Sequence, residues 1–206
     1  MTTEPGKRQP YRRNEDRRYE IAEAAIACLV RDGHAKLTAR AVAREAGLSL
    51  GHITYHFRDM DEILCEAYRL ASARLRQATA EDLRASASGD PLDRLDAFVR
   101  AGFKADFLSR GYLRLRLDLW SAAVDHPTLA ETEAALYEGY REELAALLGD
   151  LAHDRRAQAA RICAATDTIM ALLDGLWLDW IRRGNERALE NGLSTALDLA
   201  RALTKP

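Results

Sequence analysis

Apolar residues recur along this chain every three to four positions, in segments separated by short polar breaks. In the first segment, which begins near Asp16, the apolar positions are Ile21, Ala24, Ala25, Cys28 and Leu29. They form one face of a helix that is expected to end at Gly33. Similar periodicity continues to the C-terminus, so we predict an all-α fold.

Capping residues divide the following stretch into two short helices. Thr38 is expected to cap a helix that runs to Ala46, after which Gly47 can take the left-handed conformation of a tight turn. Ser49 is expected to cap the next helix, which runs to about Phe57. The spacing therefore predicts two short helices joined by a glycine turn and preceded by a longer helix.

A helix four is predicted over residues 59–80, because Asp59 and Glu62 have the spacing of a capping box. Helix-breaking residues then concentrate in the sequence SASGDP at 86–91, which predicts a boundary between two parts of the chain. We expect a flexible basic arm over 1–14, a small helical domain over 15–60, the connecting helix four and a second helical domain over 81–206.

One segment of the second half is ambiguous. The sequence YLRLRLDLW at 112–120 alternates apolar and charged residues, which is typical of a strand. We predict a helix, because the apolar run continues through Ala122, Ala123 and Val124 and no partner strand is predicted. A long helix over about 154–183 and a last helix ending near Leu203 complete the domain.

Composition places the chain among ordinary globular proteins. Of its 206 residues, 48% are hydrophobic and 30% are charged, with a net charge of −2. The first 60 residues contain 11 Lys or Arg against 8 Asp or Glu, so the front is basic. Three scattered cysteines fit neither a disulfide framework nor a zinc site, and no signal peptide or membrane span is expected. These features predict a cytoplasmic protein.

Two short helices joined at Gly47 and packed on a preceding helix predict a helix-turn-helix, whose second helix can enter the major groove of DNA. The segment LTARAVAREAGLSLGHITYHFRDMDEIL resembles the DNA-binding domain of the TetR family of bacterial regulators. The resemblance covers about residues 16–65. It rests on the spacing of the apolar residues, the two helix caps, the glycine of the turn and the sequence Tyr55-His56-Phe57 that ends the second short helix.

This resemblance implies which residues contact DNA. Arg40 matches a base-reading position, where the guanidinium can bind guanine O6 and N7 together; a solvated Arg40 is the alternative. The remaining DNA-binding candidates are the caps Thr38 and Ser49, the groove-facing Leu50, Gly51, His52 and Thr54, and the phosphate-contacting Tyr55 and His56. For Tyr55, the alternative to a phosphate contact is packing against the first helix, and the sequence does not decide between the two.

Met60 departs from the family pattern. At this position the family commonly has a lysine that binds phosphate, whereas methionine is neutral. Unless Arg58 or the basic arm substitutes, binding is expected to be weaker and less dependent on salt than in relatives.

The second domain has no phosphate-binding loop, nucleophile pattern or ligand cluster, so no enzyme activity, cofactor or metal is expected. The i, i+4 pair His52 and His56 could in principle bind a metal, although no third ligand is nearby. The domain is similar to the sensor half of the BetI-like, choline-responsive branch of the TetR family. That resemblance implies a homodimer formed through the last two helices and a palindromic operator of double-stranded DNA.

The effector candidates are aromatic and acidic residues on the predicted core helices: Tyr112, Asp118, Trp120, Tyr140, Asp174 and Trp177. Aromatic faces with carboxylates suit an organic cation such as choline or a polyamine. Ordinary core packing, with each Asp bound to a backbone amide or an arginine, is the alternative.

The resulting functional prediction is a ligand-responsive homodimeric repressor, located on the nucleoid when bound to DNA. A small molecule would release it from the operator by a movement of helix four that changes the separation of the two DNA-reading heads. The alternative is a helical small-molecule or metal-binding carrier without a DNA function.

Overall fold

The computed structural model describes residues 10–85 and 89–204, and regular secondary structure in these ranges is entirely helical. The α-helices are α1 (Pro10–Asp32), α2 (Ala39–Glu45), α3 (Leu50–His56), α4 (Met60–Ala85), α5 (Pro91–Ala101), α6 (Arg110–Asp125), α7 (Pro127–Leu151), α8 (Ala159–Arg183) and α9 (Glu186–Arg201). Short 3-10 turns follow α1 and α9. The predicted all-α fold class is confirmed.

The first helix begins earlier than predicted. α1 starts at Pro10 rather than near Asp16, so the end of the predicted flexible arm is helical. Proline favours the first turn of a helix, because its fixed φ suits the turn and its missing N–H would have no partner there. Residues 1–9 of the predicted arm lie outside the described residues.

The capping box of α4 is present in a slightly shifted form. Asp59 Oδ1 accepts the backbone N–H of Glu62 at 2.8 Å, as predicted. The Glu62 carboxylate reaches back to the N–H of Arg58 at 2.9 Å rather than to that of Asp59. The helix that follows is longer than predicted, because it continues to Ala85.

The ambiguous segment at 112–120 is helical, as predicted, and forms most of α6. Leu115, Leu119 and Ala122 are buried and lie one helical turn apart. This burial explains why helical packing outweighs the alternating pattern, since the three side chains share one face only in a helix.

The predicted long helix of residues 154–183 starts later, at Ala159. The carboxylate of Asp154 accepts the N–H groups of Arg156 and Ala157 at 2.9 and 3.0 Å, which forms a turn before the helix. Such local side-chain bonds compete with helix formation.

The chain folds into two compact units, which differ from the predicted linear division. The first contains the described residues up to Ala71 together with Arg114–Glu133, and the second contains Ser72–Leu113 and the described residues from Ala134 onward. This grouping is not linear along the chain, because the later part of α6 packs with the first helices, which hydrophobic spacing does not reveal.

Side chains from α1, α2 and α3, together with Phe57 after α3, contribute to the core of the first unit. The fully or almost fully buried residues include Ile21, Leu29, Val42, Ile53 and Phe57. Burial of each such side chain stabilises the folded state by about 1.5 to 3 kcal/mol. This core holds the two short helices at a fixed angle to α1.

The second unit has its core among α5, α7, α8 and α9. Its most deeply buried members are Leu95, Phe98, Leu144, Leu148, Ile169, Ala196 and Ala200. α8 and α9 approach closely at Gly192, where a Cβ would clash with the side chain of Leu176. Within the described ranges, no helix has both the length and the apolar character needed to cross a bilayer.

Candidate nucleic-acid interface and effector cluster

Hydroxyl caps and a left-handed glycine build the helix-turn-helix. Thr38 Oγ1 accepts the N–H of Ala41 at 3.1 Å, which begins α2. Gly47 has φ 64°, a conformation that favours glycine, and the chain then turns into α3. Ser49 Oγ accepts the N–H of His52 at 3.3 Å. The hydroxyls of Thr38 and Ser49, predicted among the DNA-binding groups, therefore cap the two helices.

α3 leaves nearly all of its surface open. Ile53 is its only buried residue, within a helix that the structure describes in full. The side chain of Tyr55 is 82% exposed, so the alternative of Tyr55 packing on α1 is not observed. The predicted groove-facing residues are likewise exposed: Leu50, Gly51, His52 and Thr54. One buried anchor thus supports a helix whose remaining side chains are available to a partner.

Arg40 lies on α2 and is exposed. Its guanidinium has no hydrogen bond or ion pair with another residue in the described part of the chain. Thr54 differs, because its hydroxyl donates back to the carbonyls of Gly51 and Leu50 at 3.2 and 3.4 Å. Arg40 keeps its donors for a partner, whereas Thr54 presents mainly its methyl group and oxygen lone pairs.

The two histidines of α3 have separate polar partners. Ser49 Oγ lies 2.8 Å from Nδ1 of His52. His56 Nδ1 lies 2.6 Å from Oδ1 of Asn14, which is on α1. Among the described residues, no group of three or more His, Cys, Asp or Glu is placed to hold a metal ion.

An arginine of α1 that the sequence did not single out fixes the end of α3. Arg18 donates to the backbone carbonyl of His56 at 2.5 Å and to Glu62 Oε1 at 3.0 Å. Its guanidinium carbon also lies 4.1 Å from the centroid of the Phe57 ring. Hydrogen bonds from the Arg58 N–H and from Arg18 lower the pKa of Glu62, so this carboxylate stays charged. Spacing could not reveal Arg18, because its partners lie about forty residues away.

The predicted effector residues separate between the two units. Asp118 lies in the first unit, where its Oδ2 accepts the backbone N–H of His34 at 2.8 Å. Trp120 lies in the same unit, with the guanidinium carbon of Arg116 4.8 Å from its ring centroid. Asp118 and Trp120 are therefore engaged with residues of the DNA-reading unit.

Tyr112 and Trp177 come together in the second unit, with ring centroids 6.0 Å apart. Phe103 lies 5.3 Å from Trp177, and Phe107 lies 5.0 Å from Tyr112. We call these four residues the aromatic cluster. Neither phenylalanine was predicted as a site residue, because the turns after α5 that carry Phe103 and Phe107 meet α8 only in the folded unit.

The remaining two effector candidates, Asp174 and Tyr140, also lie in the second unit. Asp174 is half-buried on α8, three residues before Trp177. Tyr140 stacks on Phe98, with ring centroids 4.5 Å apart, and packs against the main core of the second unit.

A helix-turn-helix with an exposed second helix, followed by a separate helical unit, defines the class of helix-turn-helix regulators. Residues 21–67 match the family described as bacterial regulatory proteins, tetR family. Residues 91–205 match the family described as BetI-type transcriptional repressor, C-terminal.

Whole-chain comparisons agree with this class. The HTH-type transcriptional regulator BetI of Stenotrophomonas maltophilia is 32% identical over 166 residues, which cover 79% of this chain and 80% of the relative. That of Paraburkholderia xenovorans is 31% identical over 184 residues, covering 89% and 91%. The chain belongs to the tetR family of regulatory proteins, with a C-terminal half of the BetI type. It is a transcriptional regulator, and the alternative of a carrier without a DNA function is not favoured.

Solved structures share the fold. A transcriptional regulator from Pseudomonas aeruginosa PAO1 has a TM-score of 0.75 and 25% identity, covering 96% of this chain and 93% of that chain. A regulator from Saccharomonospora viridis in complex with choline has a TM-score of 0.70 and 20% identity, covering 89% and 95%.

Proposed function

We propose that this chain is a homodimeric repressor that binds a palindromic DNA operator and leaves it when a small organic cation binds. The observation that carries the DNA function is the exposure of α3. A seven-residue helix with one buried anchor and an exposed polar face is what insertion into a major groove requires. The protein would act in the cytoplasm, on the nucleoid when bound to DNA.

The contacts divide into base-reading and phosphate-binding ones. Arg40 has unengaged donors that suit guanine O6 and N7, and His52 and Thr54 lie on the exposed face of α3. Tyr55 and His56, at the end of α3, are assigned to the phosphate backbone, which fixes the register of the helix in the groove. Leu50 and Gly51 lie at the start of α3 and allow this end of the helix to approach the DNA closely.

The outer face of α8 supports dimerisation through the last two helices. Small residues recur along it at helical spacing and are exposed: Ala160, Ala164, Thr168, Ala171 and Gly175. Small side chains let a helix of a second copy approach closely, as in a four-helix bundle. Two-fold symmetry then presents two α3 helices to half-sites about 34 to 36 Å apart.

The aromatic cluster is the proposed effector site. Tyr112 and Trp177 can attract an organic cation by about 0.5 to 2 kcal/mol per ring. The half-buried Asp174 on α8 would supply a carboxylate. The choline complex of the regulator from Saccharomonospora viridis, which has the same fold, supports choline as the first compound to test. Asp118 and Trp120 are left out of this site because both are engaged in the first unit.

The effector acts by preferring one shape of the dimer over another. Helices α4 and α6 each contribute residues to both units, so a change around Tyr112 can be carried along a continuous helix. The coupling is reciprocal, since an effector that weakens DNA binding must itself bind less tightly to the DNA-bound protein.

Isothermal titration calorimetry with choline, betaine aldehyde, spermidine and putrescine tests the effector. We expect one of these cations to bind, and Trp177→Leu or Tyr112→Leu to weaken its binding by about 0.5 to 2 kcal/mol. Trp120→Leu is the matched control and should leave the affinity unchanged. Absence of heat with all four cations, in a folded protein, contradicts the cation proposal.

A further inference from the structure

His56 is held at both its backbone and its ring by α1. Arg18 donates to the backbone carbonyl of His56, and Asn14 Oδ1 lies 2.6 Å from the ring nitrogen Nδ1. Asn14 and Arg18 are four residues apart, so they lie on the same face of α1. The ring therefore has a defined partner before any DNA is bound.

The contact with Asn14 determines where the imidazole carries its proton. An amide oxygen can only accept, so Nδ1 of His56 must be the N–H that donates to Oδ1. A neutral imidazole has one N–H, which leaves Nε2 with a lone pair. Phosphate oxygens are also acceptors, so a neutral His56 in this tautomer has no donor for a DNA phosphate.

The surroundings favour the neutral form of the ring in the free protein. Desolvation, followed by the positive charges of Arg17 and Arg18 and by His52, lowers the pKa of His56. Among the described residues, the charged and titratable groups around it are Arg17 and Arg18 on α1, His52 and Tyr55 on α3, Arg58 in the following turn and Glu62 on α4; the Tyr55 ring lies edge-on to the His56 ring, with centroids 5.0 Å apart. Glu62 is the acidic group among these, and it is bound to Arg18 and Arg58.

We infer that Asn14 is a positioning residue that makes His56 a proton-linked phosphate contact, so that each protomer takes up one proton at Nε2 of His56 when it binds the operator. The inference rests on the proposed function, in which the end of α3 contacts the backbone. The proton comes from solvent, and the product is an imidazolium whose Nε2–H donates a charge-assisted hydrogen bond to the phosphate.

His52 supplies the contrast. Ser49 Oγ accepts the backbone N–H of His52 and lies 2.8 Å from Nδ1 of its ring. A hydroxyl can both donate and accept, so this contact is compatible with an N–H on Nε2 that donates to a base-edge acceptor. The Asn14 oxygen that contacts the ring of His56, by contrast, can only accept.

Operator affinity measured between about pH 5 and 8 tests the inference, with the duplex that the full chain selects from random DNA. Wild-type affinity should rise as pH falls, by up to about tenfold per pH unit for each protomer. His56→Gln should bind without this pH dependence, because its amide N–H donates at every pH. The matched control, His52→Gln, should keep the wild-type dependence.

The variant Asn14→Ala shows whether Asn14 positions the proton of the His56 ring or only supports the fold. Without the amide oxygen the neutral ring can place its proton on Nε2, so affinity at the high-pH end should equal or exceed that of wild type. A loss of affinity by the same factor at every pH overturns the inference. So does calorimetry in buffers of different ionisation enthalpy that finds no proton uptake by wild type.

The tautomer can also be read without DNA. Nitrogen-15 spectra of the free full chain, assigned with His56→Gln, should show the proton of the neutral His56 ring on Nδ1. A proton on Nε2 overturns the inference whatever the DNA result. Failure of wild type to select any duplex at any pH instead contradicts the proposed function itself.

Discussion

The carboxylate of Asp118 on α6 accepts the backbone N–H of His34, at 2.8 Å, across more than eighty residues of sequence. His34 begins the short turn after α1, and its preceding residue, Gly33, has no side chain to cap that turn. Gly33 has φ 81°, and a Cβ there would lie 3.5 Å from Asp118 Oδ2. α6 thus supplies the cap that the local sequence lacks.

A neighbouring contact of α6 acts on the end of α1. Arg114 Nη1 donates to the carbonyl of Arg31 at 3.2 Å, where the helix leaves its last carbonyls without partners. The two side chains of α6 together hold the connection from α1 to α2.

Replacing Asp118 should therefore weaken the DNA-reading unit. Asp118→Ala leaves the His34 N–H without its acceptor, and we expect a loss of about 1 kcal/mol in the free energy of unfolding. Operator affinity should fall with it. Asp118→Asn retains an acceptor, so its free energy of unfolding should fall by less. Asp125 is exposed, and Asp125→Ala serves as the control. Urea unfolding and anisotropy titrations measure both effects, and equal behaviour of the Asp118 and Asp125 variants would count against this cap.

Arg40 is expected to carry sequence specificity. Arg40→Ala should cost about 1 to 3 kcal/mol of binding free energy at one base pair in each half-site and relax the preference there. Arg84, exposed at the end of α4, provides a control that should change nothing. Anisotropy with operators substituted one base pair at a time makes the measurement. A uniform loss on all operators would assign Arg40 to phosphate instead.

Met60 offers a gain-of-function test. It is the first residue of α4, and lysine at this place can bind a DNA phosphate. Met60→Lys should raise affinity and steepen the dependence of log K on log salt by about 1 per added phosphate contact. Met60→Gln, which adds no charge, should leave the slope unchanged. An unchanged slope for the lysine variant would place residue 60 away from the backbone.

Gly175 tests the dimer. A Cβ at Gly175 meets nothing within 4 Å in the protomer, so a larger side chain is compatible with the folded chain. Gly175→Glu should yield a folded monomer, because it inserts a charge into the proposed contact between copies. Light scattering with circular dichroism follows mass and folding, with Ala146→Glu on the exposed face of α7 as control. A dimeric Gly175→Glu protein would move the interface elsewhere.

The helix-turn-helix was predictable because its determinants are local. Thr38, Gly47 and Ser49 act within three residues of their own positions, so their spacing alone predicts α2 and α3. Arg18 was not singled out, and the partner of Asp118 was not predicted beyond the alternative of a backbone amide, because each acts on a segment far away in sequence. The aromatic cluster was half predicted. Tyr112 and Trp177 lie on strongly apolar helices, but their partners Phe103 and Phe107 depend on tertiary packing.

Selection from random-sequence duplexes by the purified full chain, followed by anisotropy on the recovered duplex at about 150 mM salt, tests whether this protein is an operator-binding, cation-released repressor. We expect an inverted repeat, bound far more tightly than an unrelated competitor and released by an organic cation that binds the aromatic cluster. Equal binding to all duplexes, with no repeat recovered, would contradict it.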